Sequence, residues 1–190
     1  MTLDGFSIKL LLKELSAFYQ DQDLSLPKLE LSFRDYVNQV RPDPIALERA
    51  EHYWRQRMET LPPAPQLPLR CEPQSIKNSC FPRREARLNA RTMTAIRQAA
   101  KDHHITPSAL IMLVYAETLC RWSRGQPLTL NMTLFDRQLV HPEIYQITGD
   151  FTSLAPIAYH PNTSKSLFEQ IHTMQQELAS ALQYREISSI

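Results

Sequence analysis

Glycine is scarce in this chain, with three residues against fourteen prolines in 190. Gly5, Gly125 and Gly149 cannot write a P-loop or a dinucleotide fingerprint, so kinase, GTPase and Rossmann dehydrogenase chemistry is disfavoured at the outset. Cysteine is equally thin. Cys71, Cys80 and Cys120 are an odd number with no C-x-x-C pair, which indicates neither a disulfide framework nor a zinc site and fits thiols in a reducing compartment. Asp4 stands where a secretory signal would carry a basic region, and no apolar run is long enough to span a bilayer. Cytoplasm is the expected location. A net charge of +1 gives no electrostatic reason to expect nucleic acid or an anionic membrane as partner.

What is present is the composition of a soluble globular protein, 43% hydrophobic and 22% charged, long enough for one domain or for adjoining parts of two lobes. Ile8, Leu11, Leu12, Leu15, Phe18 and Tyr19 predict an amphipathic helix over 7–19. A short helix is expected over 33–40. Asp43-Pro44 opens another to about Thr60, with Leu47, Ala50, Tyr53, Trp54 and Met58 on its buried side. The proline run at 61–69 suits an extended strap. Alternation from Cys80 to Leu88 reads as a strand, 92–103 as a helix, and Thr106-Pro107 opens a helix to Trp122 that is apolar on every side and expected to be buried. Leu128 to Leu134 alternates as a strand with Thr129, Asn131 and Thr133 on its polar face. Phe151 to Tyr159 reads as a second strand broken at Pro156, and Ser164 caps a last helix striped by Leu167, Ile171, Met174, Leu178 and Leu182. The order gives an α+β fold.

Few residues suggest chemistry by themselves. Asp4, ahead of a helix, is a cap or an orienting carboxylate. Asn131 is either a solvent-facing amide or a group lining a wet channel. Asp150 is a general base, a supporting carboxylate to which Thr152 donates, or an Asx-type turn beside Gly149. His103 and His104 are adjacent on a helix end, so their side chains diverge by about 100° and share a metal poorly. Arg83, Arg84 and Arg87 form a small basic cluster, usually a solvated face.

Three blocks acquire meaning through their order: Leu61-Pro62-Pro63-Ala64-Pro65-Gln66-Leu67-Pro68-Leu69; Thr106-Pro107-Ser108 through Tyr115-Ala116 to Leu119-Cys120-Arg121-Trp122; and Gly149-Asp150-Phe151-Thr152. Together they resemble the heterocyclisation domains of non-ribosomal peptide synthetases, relatives of condensation domains. Asp4-Gly5-Phe6-Ser7 fits the end of that family's paired-aspartate motif, whose first aspartate would fall at position −1.

The resemblance implies a chloramphenicol-acetyltransferase-like fold, present in part: residues 1–62 ending a first lobe, 63–79 a proline-rich linker, 80–190 beginning a second. It implies joining of a carrier-bound acyl or peptidyl thioester to carrier-bound cysteine, serine or threonine, followed by cyclodehydration to thiazoline or oxazoline. Asp4, Asn131 and Asp150 are then the candidate catalytic residues, and Ser7, Thr129, Thr133, Phe151 and Thr152 the candidate substrate contacts. Peptidyl carrier domains and adjacent synthetase domains are the expected partners. Phosphopantetheine belongs to those carriers, so no cofactor or metal is expected on the chain. A fragment of this kind is expected to be weakly active alone. Two alternatives stay open: an ordinary amide-forming condensation domain, with paired histidines upstream, and a non-catalytic remnant serving as a docking module.

Overall fold

A computed structural model describes residues 3–78 and 80–187. Residues 1, 2, 79 and 188–190, which the expected lobe and linker boundaries include, lie outside the described residues. Six helices form among the described residues: α1 Gly5–Gln20, α2 Phe33–Gln39, α3 Pro44–Met58, α4 Ala90–Asp102, α5 Pro107–Trp122 and α6 Leu167–Gln183. Strands β1 Leu128–Phe135 and β2 Thr152–Tyr159 pair in one two-stranded sheet. The Asp136 N–H donates to Phe151 O at 2.9 Å, joining the end of β1 to the start of β2, so the strands run antiparallel.

Side-chain caps set several helix starts. Asp4, Asn89 and Thr106 accept from the backbone N–H three residues on, and Ser32 with Asp35 makes a reciprocal capping box. Ser166 and Glu169 make the same exchange ahead of α6, so its cap is Ser166, while Ser164 bonds Asn162.

Contacts divide the chain into two compact units. The first holds the residues up to Trp54, Met132–Ala155 and those from Tyr184. Its core is Leu31, Tyr36, Ile144, Ile147 and Phe151, with Leu29, Phe33 and Val40 against it. Phe151 meets the Phe33 and Tyr36 rings edge-on at 5.0 and 4.8 Å. The Tyr36 hydroxyl donates to Asp136 O and accepts from the Gln138 N–H, tying the segment after β1 to α2. Glu143, in a 3-10 turn over Pro142–Tyr145, accepts from the Glu30 and Leu31 N–H groups.

The second unit comprises Arg55–Asn131 and Pro156–Gln183. Here α5 packs on α6 through small and apolar residues, with Ala109, Leu113, Ala116, Cys120, Ile171, Met174, Leu178 and Ala181 buried. Gln175 accepts from the Thr106 N–H and donates to His104 O, tying the α4–α5 turn to α6. The proline strap lies along β1: Thr129 donates its N–H to Pro63 O at 3.0 Å and its hydroxyl to Pro62 O at 2.6 Å. An extended segment covering an otherwise open strand edge is a recurrent use of such sequence.

Besides the cap of α6, four expectations change. Residues 80–88 form no strand; the segment has no regular secondary structure and is exposed throughout, with Phe81 at 90%, because alternating arginine, glutamate and proline offers neither an apolar face nor a ladder partner. Helix α5 buries one side only, and Ile111, Val114, Tyr115 and Trp122 are exposed. The apolar stripe of α1 also faces outward, leaving Ser7 as that helix's buried residue. Finally, β2 begins at Thr152 and passes through Pro156 unbroken. Counting from the Asp136–Phe151 bond, position 156 points its backbone nitrogen away from β1, where proline removes no ladder bond.

Candidate active site

The most connected group in the first unit is built around Asp4. Its carboxylate caps α1 by accepting from the Ser7 N–H at 2.6 Å, and its own N–H donates to Gly149 O at 3.0 Å. Arg137, beyond the end of β1, reaches it from the other side: Nη2 lies 3.1 and 3.3 Å from the two carboxylate oxygens and 2.9 Å from Ser7 Oγ. Nη1 donates to Ile144 O and Ile147 O, both at 2.9 Å. The Ser7 hydroxyl donates to Gly149 O and accepts from Gly149 N–H, clamping that glycine in both directions. Rings enclose the guanidinium, its carbon 3.7 Å from the Phe151 centroid and 4.5 Å from that of Phe6.

Asp4 and Ser7 have no exposed surface, and the Arg137 side chain is 5% exposed. Burial by itself raises the Asp4 carboxyl. The Ser7 hydroxyl and N–H and the Arg137 guanidinium together outweigh it and hold the group below the usual carboxylate range. An ionised carboxylate so enclosed fixes geometry; nothing in solution reaches it.

What that network fixes is the start of the Gly149–Thr152 turn. Asp150 is half-buried and accepts from the Thr152 N–H at 3.1 Å and from the Thr152 hydroxyl, an Asx turn in form. The Thr152 hydroxyl and N–H, acting in that order, hold the Asp150 carboxyl below its ordinary value, against a smaller desolvation effect. At neutral pH it is an anion that orients a hydroxyl. Phe151 points inward and is buried.

On β1, Asn131 and Thr133 are exposed, whereas Thr129 is half-buried and committed to the strap. Sequence reasoning missed Arg137 altogether. Its partners lie 130 and 133 residues away, and no local spacing announces them. Among the described residues no group of three or more His, Cys, Asp or Glu is placed to hold a metal ion, and no helix is long and apolar enough to cross a membrane.

The family model for the condensation domain matches residues 1–188. The chain belongs to the condensation-domain family. Among curated members it is 32% identical to bacitracin synthase 1 of Bacillus licheniformis over 98% of the chain and 4% of that protein. It is 31% identical to pyochelin synthetase PchF of Pseudomonas aeruginosa (99% of the chain, 10% of that protein), and 29% to phenyloxazoline synthase MbtB of Mycobacterium tuberculosis (94% and 13%). The chain thus spans a small part of the length of these relatives. Among solved structures, the EpoB cyclization-docking bidomain of the non-ribosomal peptide synthetase from Sorangium cellulosum superposes with a TM-score of 0.83 at 34% identity, covering 96% of this chain and 38% of that one. The fold is therefore the chloramphenicol-acetyltransferase-like fold of condensation domains. Within the condensation-domain family the shared framework is that of acyl-transfer enzymes working with carrier domains.

Proposed function

We propose that this chain forms part of a heterocyclisation domain of a non-ribosomal peptide synthetase. The reaction begins with attack of the amine of a carrier-bound cysteine, serine or threonine on an acyl or peptidyl thioester. The amide bond forms and the donor carrier's thiol leaves. The side-chain thiol or hydroxyl then adds to the new amide carbonyl, and loss of that oxygen as water closes a thiazoline or oxazoline. The phosphopantetheine arms of both carriers deliver the reactants, and the chain needs no resident cofactor.

One observation carries the reading: the Gly149-Asp150-Phe151-Thr152 turn is anchored at Gly149 by Ser7 and Asp4 while Asp150 and Thr152 stay linked at its rim. Asp150, an anion at neutral pH, aims the Thr152 hydroxyl at the adduct formed during ring closure. Thr133, exposed on β1, offers a side-chain donor to its oxygen. Asp4, Ser7 and Arg137 act one step back, as positioning residues that hold the turn. The likeness to the EpoB cyclization-docking bidomain and to the phenyloxazoline synthase MbtB supports the same reading.

In the same proposal, residues 1–62 end one lobe of the parent domain, 63–79 link, and 80–190 open the next. The exposed stripes of α1 and α5 are then covered in the whole protein. The test is to place Asp150→Asn and Thr152→Val in the synthetase module that contains this chain and follow linear and cyclised products separately. The reading predicts that cyclised product falls at least about tenfold while linear amide still forms. Equal retention of both products in both variants overturns it.

A further inference from the structure

Tyr36 takes no part in the reaction proposed above, yet its contacts converge on the Gly149–Thr152 turn. The side chain is buried in the first unit's core, and its hydroxyl holds two backbone groups at once. It donates to Asp136 O at 3.0 Å and accepts from the Gln138 N–H at 3.1 Å. Those residues stand on either side of Arg137. The hydroxyl therefore fixes the backbone from which the guanidinium reaches Asp4, Ser7, Ile144 and Ile147.

The ring of Tyr36 acts on the same turn from another side. Its centroid lies 4.8 Å from that of Phe151, edge-on, and the Arg137 guanidinium carbon lies 3.7 Å from the Phe151 centroid. Phe151 sits in the chain between Asp150 and Thr152. Its carbonyl accepts from the Asp136 N–H at 2.9 Å, so Asp136 bonds Phe151 through its N–H and Tyr36 through its carbonyl. Packing alone has no use for a buried hydroxyl, which costs free energy unless it is paired. Here its donor and an acceptor site are both spent on the segment that holds Arg137 and Phe151.

We infer that Tyr36 is a positioning residue for ring closure. Its hydroxyl, through Asp136 and Gln138, and its ring, through Phe151, set the placement of the Asp150–Thr152 pair. The role in ring closure rests on the heterocyclisation reading, whereas the coupling of Tyr36 to the pair does not.

Tyr36→Phe removes the hydroxyl and keeps the ring against Phe33 and Phe151, so the core stays filled. Val40→Ala, in the same core, is the reference for lost stability alone. Both are placed in the module containing this chain, at a temperature where each variant is folded, and linear and cyclised products are followed separately. Tyr36→Phe is expected to lower the cyclised-to-linear ratio at least about fivefold. Val40→Ala leaves the ratio unchanged, because a smaller folded fraction lowers both products alike. Added to Thr152→Val, Tyr36→Phe changes the ratio no further, since it acts through that pair. In the 190-residue chain, carbon NMR should show the Asp150 titration moving upward in Tyr36→Phe and staying in place in Val40→Ala. A ratio unchanged in Tyr36→Phe, an equal fall in Val40→Ala, a further fall in the double variant, or an Asp150 titration that ignores the lost hydroxyl each overturns the inference. A wild-type module that makes linear amide alone sinks the reaction reading, and the Asp150 titration then decides the coupling by itself. A cyclising module whose ratio ignores Tyr36→Phe sinks this inference alone.

Discussion

Arg137 Nη2 lies 3.1 Å from Asp4 Oδ1, and the two side chains are 5% and 0% exposed. A pair this deep is conditional: each charge is tolerated because the other is there. Replacing Arg137 by Met leaves the carboxylate buried and uncompensated, with Ile144 O, Ile147 O and Ser7 Oγ each missing a donor. Destabilisation by about 3–5 kcal/mol is expected in chemical denaturation, and a change under about 1 kcal/mol would mean the pair contributes no more than a surface one.

The same pair sets an acid limb. The Asp4 carboxyl is held below its unfolded value, so its contribution is present above that value and is lost as pH falls through the lowered, folded one. Stability should decline in the acid range below the ordinary aspartate value, and Asp4→Asn should flatten that decline while lowering stability at neutral pH. A variant whose acid limb matches the wild type would remove Asp4 from the account.

Gly149 has no room for a side chain, since a Cβ there would overlap the Phe33 ring. Phe33 is packed in the first unit's core and cannot swing freely. Gly149→Ala should cost about 1–3 kcal/mol, and the Ser7 contacts to both faces of that peptide should weaken with it. Melting temperatures of the variant alone and paired with Phe33→Leu check the cause, because the smaller side chain should recover part of the loss.

Removing the Tyr36 hydroxyl leaves the Gln138 N–H and Asp136 O unpaired where the chain leaves β1. Tyr36→Phe should cost about 1–3 kcal/mol, read by denaturant midpoint. It should also raise amide exchange at Gln138 ahead of the rest of the unit.

Thr152 keeps the Asp150 carboxyl low through its hydroxyl first and its N–H second. In Thr152→Val the hydroxyl is gone, and the Asp150 titration, followed by carbon NMR, should move upward toward the ordinary aspartate range. No upward movement would mean the two side chains are not partners in solution.

Much of the framework was legible because punctuation in the sequence is local. Thr106-Pro107, Asp43-Pro44 and the alternation at 128–134 each announce an element within a few residues, and α5, α3 and β1 start where those signals stand. The segment 80–88 misled because alternation was counted without asking what lay on each face; charge and proline left it with nothing to pair. Helix α5 misled in the opposite sense, since apolar residues all round do not say which side finds a partner. Of the site, Asp150 and Thr152 were readable as neighbours two positions apart. Arg137 was not, because its value lies in a distance closed only by folding.

The central claim is that the reaction ends in a ring. Its direct test is the intact mass of the product left on the acceptor carrier after the module containing this chain is supplied with an acyl-loaded donor and a cysteine-loaded acceptor. A product one water lighter than the linear amide is predicted. Linear amide alone, accumulating at full yield, would contradict it.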